Sequence, residues 1–211
     1  MKKQILTQQQ IEEKLFKAED GFKPADFTGE NLPSFSLVKE TINSSIIFDN
    51  AQIQGQVFMA DVFVDGDLSF KDCLIKGSLY LANLHLNGSL ILENARIEGA
   101  VNLVGAEIEK NVLAKNLKNQ GFISLAKARI KGNVFLEKSR MKNAFYENFS
   151  VKGDLILEGI KVGGNINLKD IIIEGVLDLD EMIVEKDLIL QGAGFKNAEA
   201  ENIIIKGKTI N

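Results

Sequence analysis

Gly88-Ser89-Leu90-Ile91-Leu92-Glu93-Asn94-Ala95-Arg96-Ile97-Glu98 carries the pattern on which the whole chain is built. Its apolar residues fall in two pairs, Leu90 with Leu92 and Ala95 with Ile97, and residues two apart in an extended segment point the same way. Each pair is therefore one short strand with a known inward side. The inward spacings run 2, 3, 2 and 4, so the chain must turn after each pair. The glycine falls in the longer corner, where a positive φ or a tight backbone approach suits a residue without Cβ.

The unit recurs with little drift, with glycines at 55, 66, 77, 88 and 99, at 121 and 132, and at 153, 164 and 175. Such regularity describes a stacked solenoid and leaves little sequence free for a catalytic site. Toward the N-terminus the spacing tightens to five residues, in Ala25-Asp26-Phe27-Thr28-Gly29, Glu30-Asn31-Leu32-Pro33-Ser34, Phe35-Ser36-Leu37-Val38-Lys39 and Glu40-Thr41-Ile42-Asn43-Ser44. These units resemble the pentapeptide-repeat family, whose unit reads Ala-(Asp/Asn)-(Leu/Phe)-x-x. The first matches at every specified position, while Glu30 and Glu40 stand where a small inward residue is expected. The resemblance implies an all-β fold, a right-handed, four-sided parallel β-helix.

The eleven-residue unit then reads as two pentapeptide faces with one extra corner residue, so that two units make a coil of 22. The segments 143–152 and 197–206 are each one residue short. Held to the eleven-residue template they would bury Glu147, Glu199 and Glu201, each an unpaired charge. As plain pentapeptide pairs they place Ala144, Tyr146, Phe149 and Val151, and then Ala198, Ala200, Ile203 and Ile205, inward. At roughly 4.8 Å between stacked strands, about eight and a half coils make a rod about 40 Å long. A three-sided helix of the hexapeptide or bactofilin kind is the alternative architecture, but its six-residue faces do not fit this register.

Residues 1–24 stand outside the repeat. Thr7 and Gln10 form a capping box, Leu6 and Ile11 a hydrophobic staple, and Gly21 a stop, which predicts a helix over 8–19. With Ile11 and Leu15 on one side, this helix is expected to close the apolar end of the solenoid, as terminal repeats require. The domain reading is a capping helix and lead-in over 1–24, a β-helix over 25–206 and a tail over 207–211. The C-terminal coil has no comparable cover and is expected to be exposed or paired with a second copy.

The composition bounds the function. The chain has 211 residues, a formal charge of −4 and a pI near 5.2, which argues against direct nucleic-acid binding through an overall basic surface. No apolar stretch approaches the roughly 20 residues that span a bilayer, and residues 1–10 do not read as a signal peptide, so the expected location is the cytoplasm. The single cysteine, Cys73, excludes an internal disulfide and a cysteine-based zinc cluster. It occupies the inward column of Ala51 and Ala95 and is expected to be an inert buried thiol. His85, the lone histidine, stands outward without a nucleophile partner. Asp178, Asp180 and Glu181 are the closest approach to a metal cluster, without calcium-type loop spacing. Gly163-Gly164 precedes a strand rather than a helix N-terminus and reads as a corner, not a phosphate loop. No catalytic residue, cofactor or metal site is assigned.

Stacking with a 22-residue period makes a sharper statement about the surface. One face presents Ile91, Leu113, Phe135 and Ile156 outward in successive coils, and the next face presents Arg96, Lys118, Arg140 and Lys161. These eight residues form the candidate interface. Two readings stand beside each other: cross-strand ladders whose cations are balanced by Glu93, Glu137 and Glu158, or a binding face for a protein partner or a second copy, a homodimer included. The function expected is a non-enzymatic scaffold or interaction module that self-associates. The alternatives are a DNA-mimicking inhibitor of an enzyme such as a topoisomerase, as the resemblance implies for some family members, and a bactofilin-like polymer-forming structural protein.

Overall fold

The computed structural model describes residues 4–19 and 23–211, with the side chains of 17–19 also left aside. The fold is a parallel β-solenoid with one helix, Gln8–Glu19 (α1). A typical 22-residue turn contributes four short strands, as in Leu90–Ile91, Arg96–Ile97, Val101–Asn102 and Glu107–Ile108. We refer to these positions as the first to fourth columns. Strands pair with their equivalents one turn away, Leu90 with Val112 and Arg96 with Lys118. The second and third columns are nine-stranded parallel sheets. The first and fourth are joined into one 15-stranded sheet by Ile172–Asp178, which runs round a corner. A turn thus carries four strands, where the three-sided alternative expects three.

The inward residues are those that the spacing selects. Leu68, Phe70, Leu90, Leu92, Val134 and Leu136 are all buried, and Phe27, Phe48 and Phe70 stack with successive ring centroids 4.9 Å apart. Both short segments keep their charges out. The register shortens between Lys118↔Arg140 and Phe122↔Asn143, which buries Ala144, Tyr146, Phe149 and Val151 while Glu147 stays at the surface. It shortens again where Val176 meets Asn197, so that Leu177 aligns with Ala198 and Asp178 with Glu199.

The corners separate two roles that the sequence had left together. Apart from Gly66, positive φ falls in the short corners after the first and third columns, on Asn50, Asp72, Asn94, Asn116, Asp61 and Asn83 among others, these six with φ from 53° to 58°. Asn and Asp tolerate this region best among residues with a Cβ, and they ladder along the rod: Asn94 Nδ2 donates to Asp72 Oδ1 at 2.9 Å, and Asn83 Nδ2 to Asp61 Oδ1 at 3.0 Å. The repeat glycines occupy the longer corners for closeness instead. A Cβ on Gly77 would lie 2.6 Å from the Gln56 amide nitrogen of the turn below.

At the N-terminal end the Thr7 amide donates to Gln10 Oε1 at 2.8 Å and the Gln10 amide to Thr7 Oγ1 at 3.2 Å, a reciprocal capping box. Ile11 and Leu15 are fully buried against the first turn, and Leu6 packs beside them. The Leu6 amide also donates to Asn31 O at 2.9 Å, covering the free edge of the second column. The stop expected at Gly21 lies outside the described residues. At the other end the solenoid continues further than the sequence suggests: Thr209–Ile210, read as tail, pairs with Leu188–Ile189 as a strand of the third column. Ala198 and Ala200 hold inward positions yet are exposed, because no described turn lies over them.

Candidate interaction face

Along the first column the outward residues run Ile47, Ser69, Ile91, Leu113, Phe135, Ile156, Asp178 and Glu199, each in register with the next. Ile91, Leu113, Phe135 and Ile156 are half-buried, so their side chains shield one another and still present a continuous apolar strip. Ile47 belongs to the same column and was missed from the sequence because Ser69 interrupts it. The strip ends sharply at Asp178.

The corner beside the strip alternates in charge. Lys71 Nζ lies 3.7 Å from Glu93 Oε2, and Lys115 Nζ 2.8 Å from Glu137 Oε1. The hydrogen bond that it donates to Glu137, followed by the charges of Glu137, Glu93 and Glu158, holds the Lys115 ammonium above its ordinary range. The same ammonium sits 5.2 Å over the Phe135 ring. The other Glu137 oxygen is buried without a hydrogen-bond partner.

In the second column, Arg96, Lys118, Arg140 and Lys161 stack in register, all exposed. The expected balance by corner acids is absent: among the described residues none of the four makes an ion pair, because Glu93 and Glu137 turn to Lys71 and Lys115 instead. Like charges directly opposite one another in a sheet oppose its pairing. A groove of about 630 Å³ runs beside them, lined by Lys118, Lys138, Arg140, Lys161, Ile183 and Ile204. Beneath the ladder Asn119 takes the inward position between Ile97 and Met141; it donates to Gly99 O at 2.6 Å and leaves its own Oδ1 unpartnered.

The remaining chemically capable groups are committed to structure. A concavity of about 790 Å³ at the N-terminal end of the first column is lined by Asp49, Asp65 and Asp67 among others. Asp67 Oδ1 accepts from the Ser89 amide at 2.7 Å, Asp65 from Asn87 Nδ2 at 2.9 Å, and Asp49 from Ser69 Oγ. These carboxylates tie one turn to the next. His85 stacks on Phe63 with centroids 5.3 Å apart and lies 3.4 Å from Glu107, which also binds Arg129 at 2.7 Å. Cys73 is buried, its Sγ 3.0 Å from Phe48 O, and burial pushes its thiol up to about 12. Of the acids singled out in the sequence, Asp178 and Asp180 lie within 4.8 Å of Glu199 from the following turn, whereas Glu181 sits in a left-handed corner apart from them.

No helix among the described residues is long and apolar enough to cross a membrane. Searches against protein-family models, curated proteins and solved structures found no match, so the pentapeptide-repeat resemblance rests on the repeat pattern alone.

Proposed function

We propose that this protein is a non-enzymatic interaction scaffold of the pentapeptide-repeat kind, which self-associates through the strip Ile91, Leu113, Phe135 and Ile156 and offers the Arg96, Lys118, Arg140 and Lys161 ladder to an acidic protein surface. The observation that carries this reading is the juxtaposition of two outward ladders, one apolar and one cationic, on neighbouring faces. The strip leaves apolar area in solvent. The ladder stacks four cations with no ion pair among the described residues. Neither arrangement is needed for the core, which is complete without them. The cation ladder also weighs against DNA mimicry, which requires dense negative charge.

Replacing Leu113 and Phe135 with Lys and Glu tests the reading. The β-type circular dichroism should persist, since these side chains point away from the core, while the mass measured by light scattering falls to that of a monomer. A mass unchanged across protein concentration would reduce the strip to a cross-strand ladder.

A further inference from the structure

We infer that Asn87 is a site of spontaneous covalent modification, at which the native corner converts the asparagine to aspartate or isoaspartate with loss of ammonia. Asn87-Gly88 is the only Asn-Gly step in the sequence. A following residue without Cβ leaves the path open from its own amide nitrogen to the asparagine side chain, and it gives the backbone the freedom to close a five-membered ring. The corner that holds the pair adds two conditions. The first is an uncommitted nucleophile. The Asn87 amide donates to Val64 O at 3.0 Å, the Ser89 amide to Asp67 Oδ1 at 2.7 Å and, one turn on, the Lys110 amide to Gly88 O at 3.2 Å. Among the described residues the Gly88 amide, buried between its neighbours, makes no hydrogen bond. A buried amide without a partner is uncommon, and this one can give up its proton without breaking a bond of the fold. The second is a held leaving group. Asn87 Nδ2 donates to Asp65 Oδ1 at 2.9 Å, so a carboxylate stands where the departing nitrogen takes up a proton. Asp65 also lines the concavity of about 790 Å³ that brings solvent to this corner.

The step balances with water alone. The Gly88 nitrogen loses its proton and bonds to Asn87 Cγ, the Cγ–Nδ2 bond breaks, and Nδ2 leaves as ammonia with that proton. Water then opens the succinimide. Opening at Cγ gives aspartate, and opening at the main-chain carbonyl gives isoaspartate, in which the chain runs on through Cβ and Cγ. One water is consumed and one ammonia released, with no oxidant or reductant. Either product removes the donor to Asp65 and sets a carboxylate in its place, in register between Asp65 of the turn below and Glu109 of the turn above. A tie between turns thereby becomes a stack of like charges. The lost hydrogen bond and the new repulsion together should lower the folded-to-unfolded ratio by roughly tenfold. The change is one-way, and isoaspartate also lengthens the main chain of a corner whose register the neighbouring turns fix.

The test incubates the full, folded chain in mildly alkaline buffer and samples it over days. Each sample is cleaved after lysine and arginine, and the fragment Gly77–Arg96 is read by mass spectrometry against the sample taken at the start. Asn87 should exchange its amide for a hydroxyl, giving separate aspartate and isoaspartate forms, while Asn83 and Asn94 in the same fragment stay unchanged. Asn87→Gln, whose ring would need a sixth member, should keep its mass over the same period. Conversion confined to urea-unfolded protein, or earlier conversion of another asparagine in the folded chain, would overturn the assignment to the native corner. Asn87→Asp makes one product directly and should lower the denaturant midpoint. Adding Asp65→Asn re-creates the donor and acceptor with their roles exchanged and should recover it. A midpoint that Asn87→Asp leaves in place, or that the second change fails to recover, would overturn the repulsion between turns.

Discussion

At the N-terminal end of the solenoid, Ile11 and Leu15 of α1 lie over the first turn and are fully buried, whereas at the C-terminal end Ala198 and Ala200 hold the same kind of inward position in solvent. Near them Phe195, Ile204 and Ile210 are 39%, 50% and 40% exposed. In a globular core each side chain is covered from every direction. In a solenoid half of that cover comes from the turn above and half from the turn below. The two ends show what one missing neighbour does: the same sequence pattern gives a sealed core at one end and a partly hydrated one at the other.

The largest effect should separate the ends directly. Leu15→Ala removes a fully buried side chain and should cost about 2–5 kcal/mol, read as a lower denaturant midpoint with faster amide exchange in the first turns. Ile205→Ala, at a partly covered position, should cost about 1 kcal/mol or less, because less area leaves the interior. Equal losses at both sites would mean that the C-terminal turn is covered in solution. The next contrast lies between corners. Gly77→Ala forces a Cβ into the backbone of the turn below and should cost about 1–3 kcal/mol. Gly163→Ala meets nothing closer than 3.9 Å and should be close to neutral in the same unfolding measurement.

Alkali should act on the interior rather than on the ends. The Cys73 thiol is held neutral to about 12 by burial, while in the unfolded chain it ionises near its ordinary value. Between those values the unfolded state binds fewer protons than the native one, so stability falls as pH rises, by about 1.4 kcal/mol per unit for one such group. Burial raises the Tyr146 hydroxyl in the same direction, and it adds its own loss above the ordinary tyrosine range. Cys73→Ala should flatten the first part of this slope, and a thiol reagent should reach Cys73 only after unfolding. The smallest effect should be a gain: Asn119→Leu removes an unpartnered buried oxygen from an otherwise apolar column and should stabilise by about 1 kcal/mol, seen as a raised midpoint.

The fold was legible because inward residues in a solenoid follow from local spacing alone. Leu90, Leu92, Ala95 and Ile97 declare their sides without any long-range information, and the short segments around Tyr146 and Ala198 could be placed by asking which register buries a glutamate. The division of labour among corners was harder to read. Both positive φ and close approach favour glycine, and the Asn and Asp residues at 50, 72, 94 and 116 were the available signal that positive φ lay elsewhere. The columns of the candidate face were also legible as columns. Their electrostatic state was not, because Glu93 and Glu137 each had cations on two sides within reach of a flexible side chain. Only the three-dimensional arrangement shows that they turn toward Lys71 and Lys115 and leave the neighbouring ladder unneutralised.

The two corners that lack a residue have a consequence for how such a chain finds its shape. Eleven-residue units this alike can mispair by half a turn, and most inward side chains would still land on inward positions. A stack out of phase would then be compact, hydrogen-bonded and slow to undo, the kind of trap that long-range strand pairing invites. A missing residue cannot be displaced in this way. Sliding the segment around Glu147 onto a full-length unit drives that carboxylate into the interior, and sliding the last turn sets Glu199 and Glu201 on the inward side of the coil, against the apolar residues of the turn before it. The short corners therefore serve as phase marks on an otherwise uniform ruler, fixing which turn is which by making every wrong count expensive.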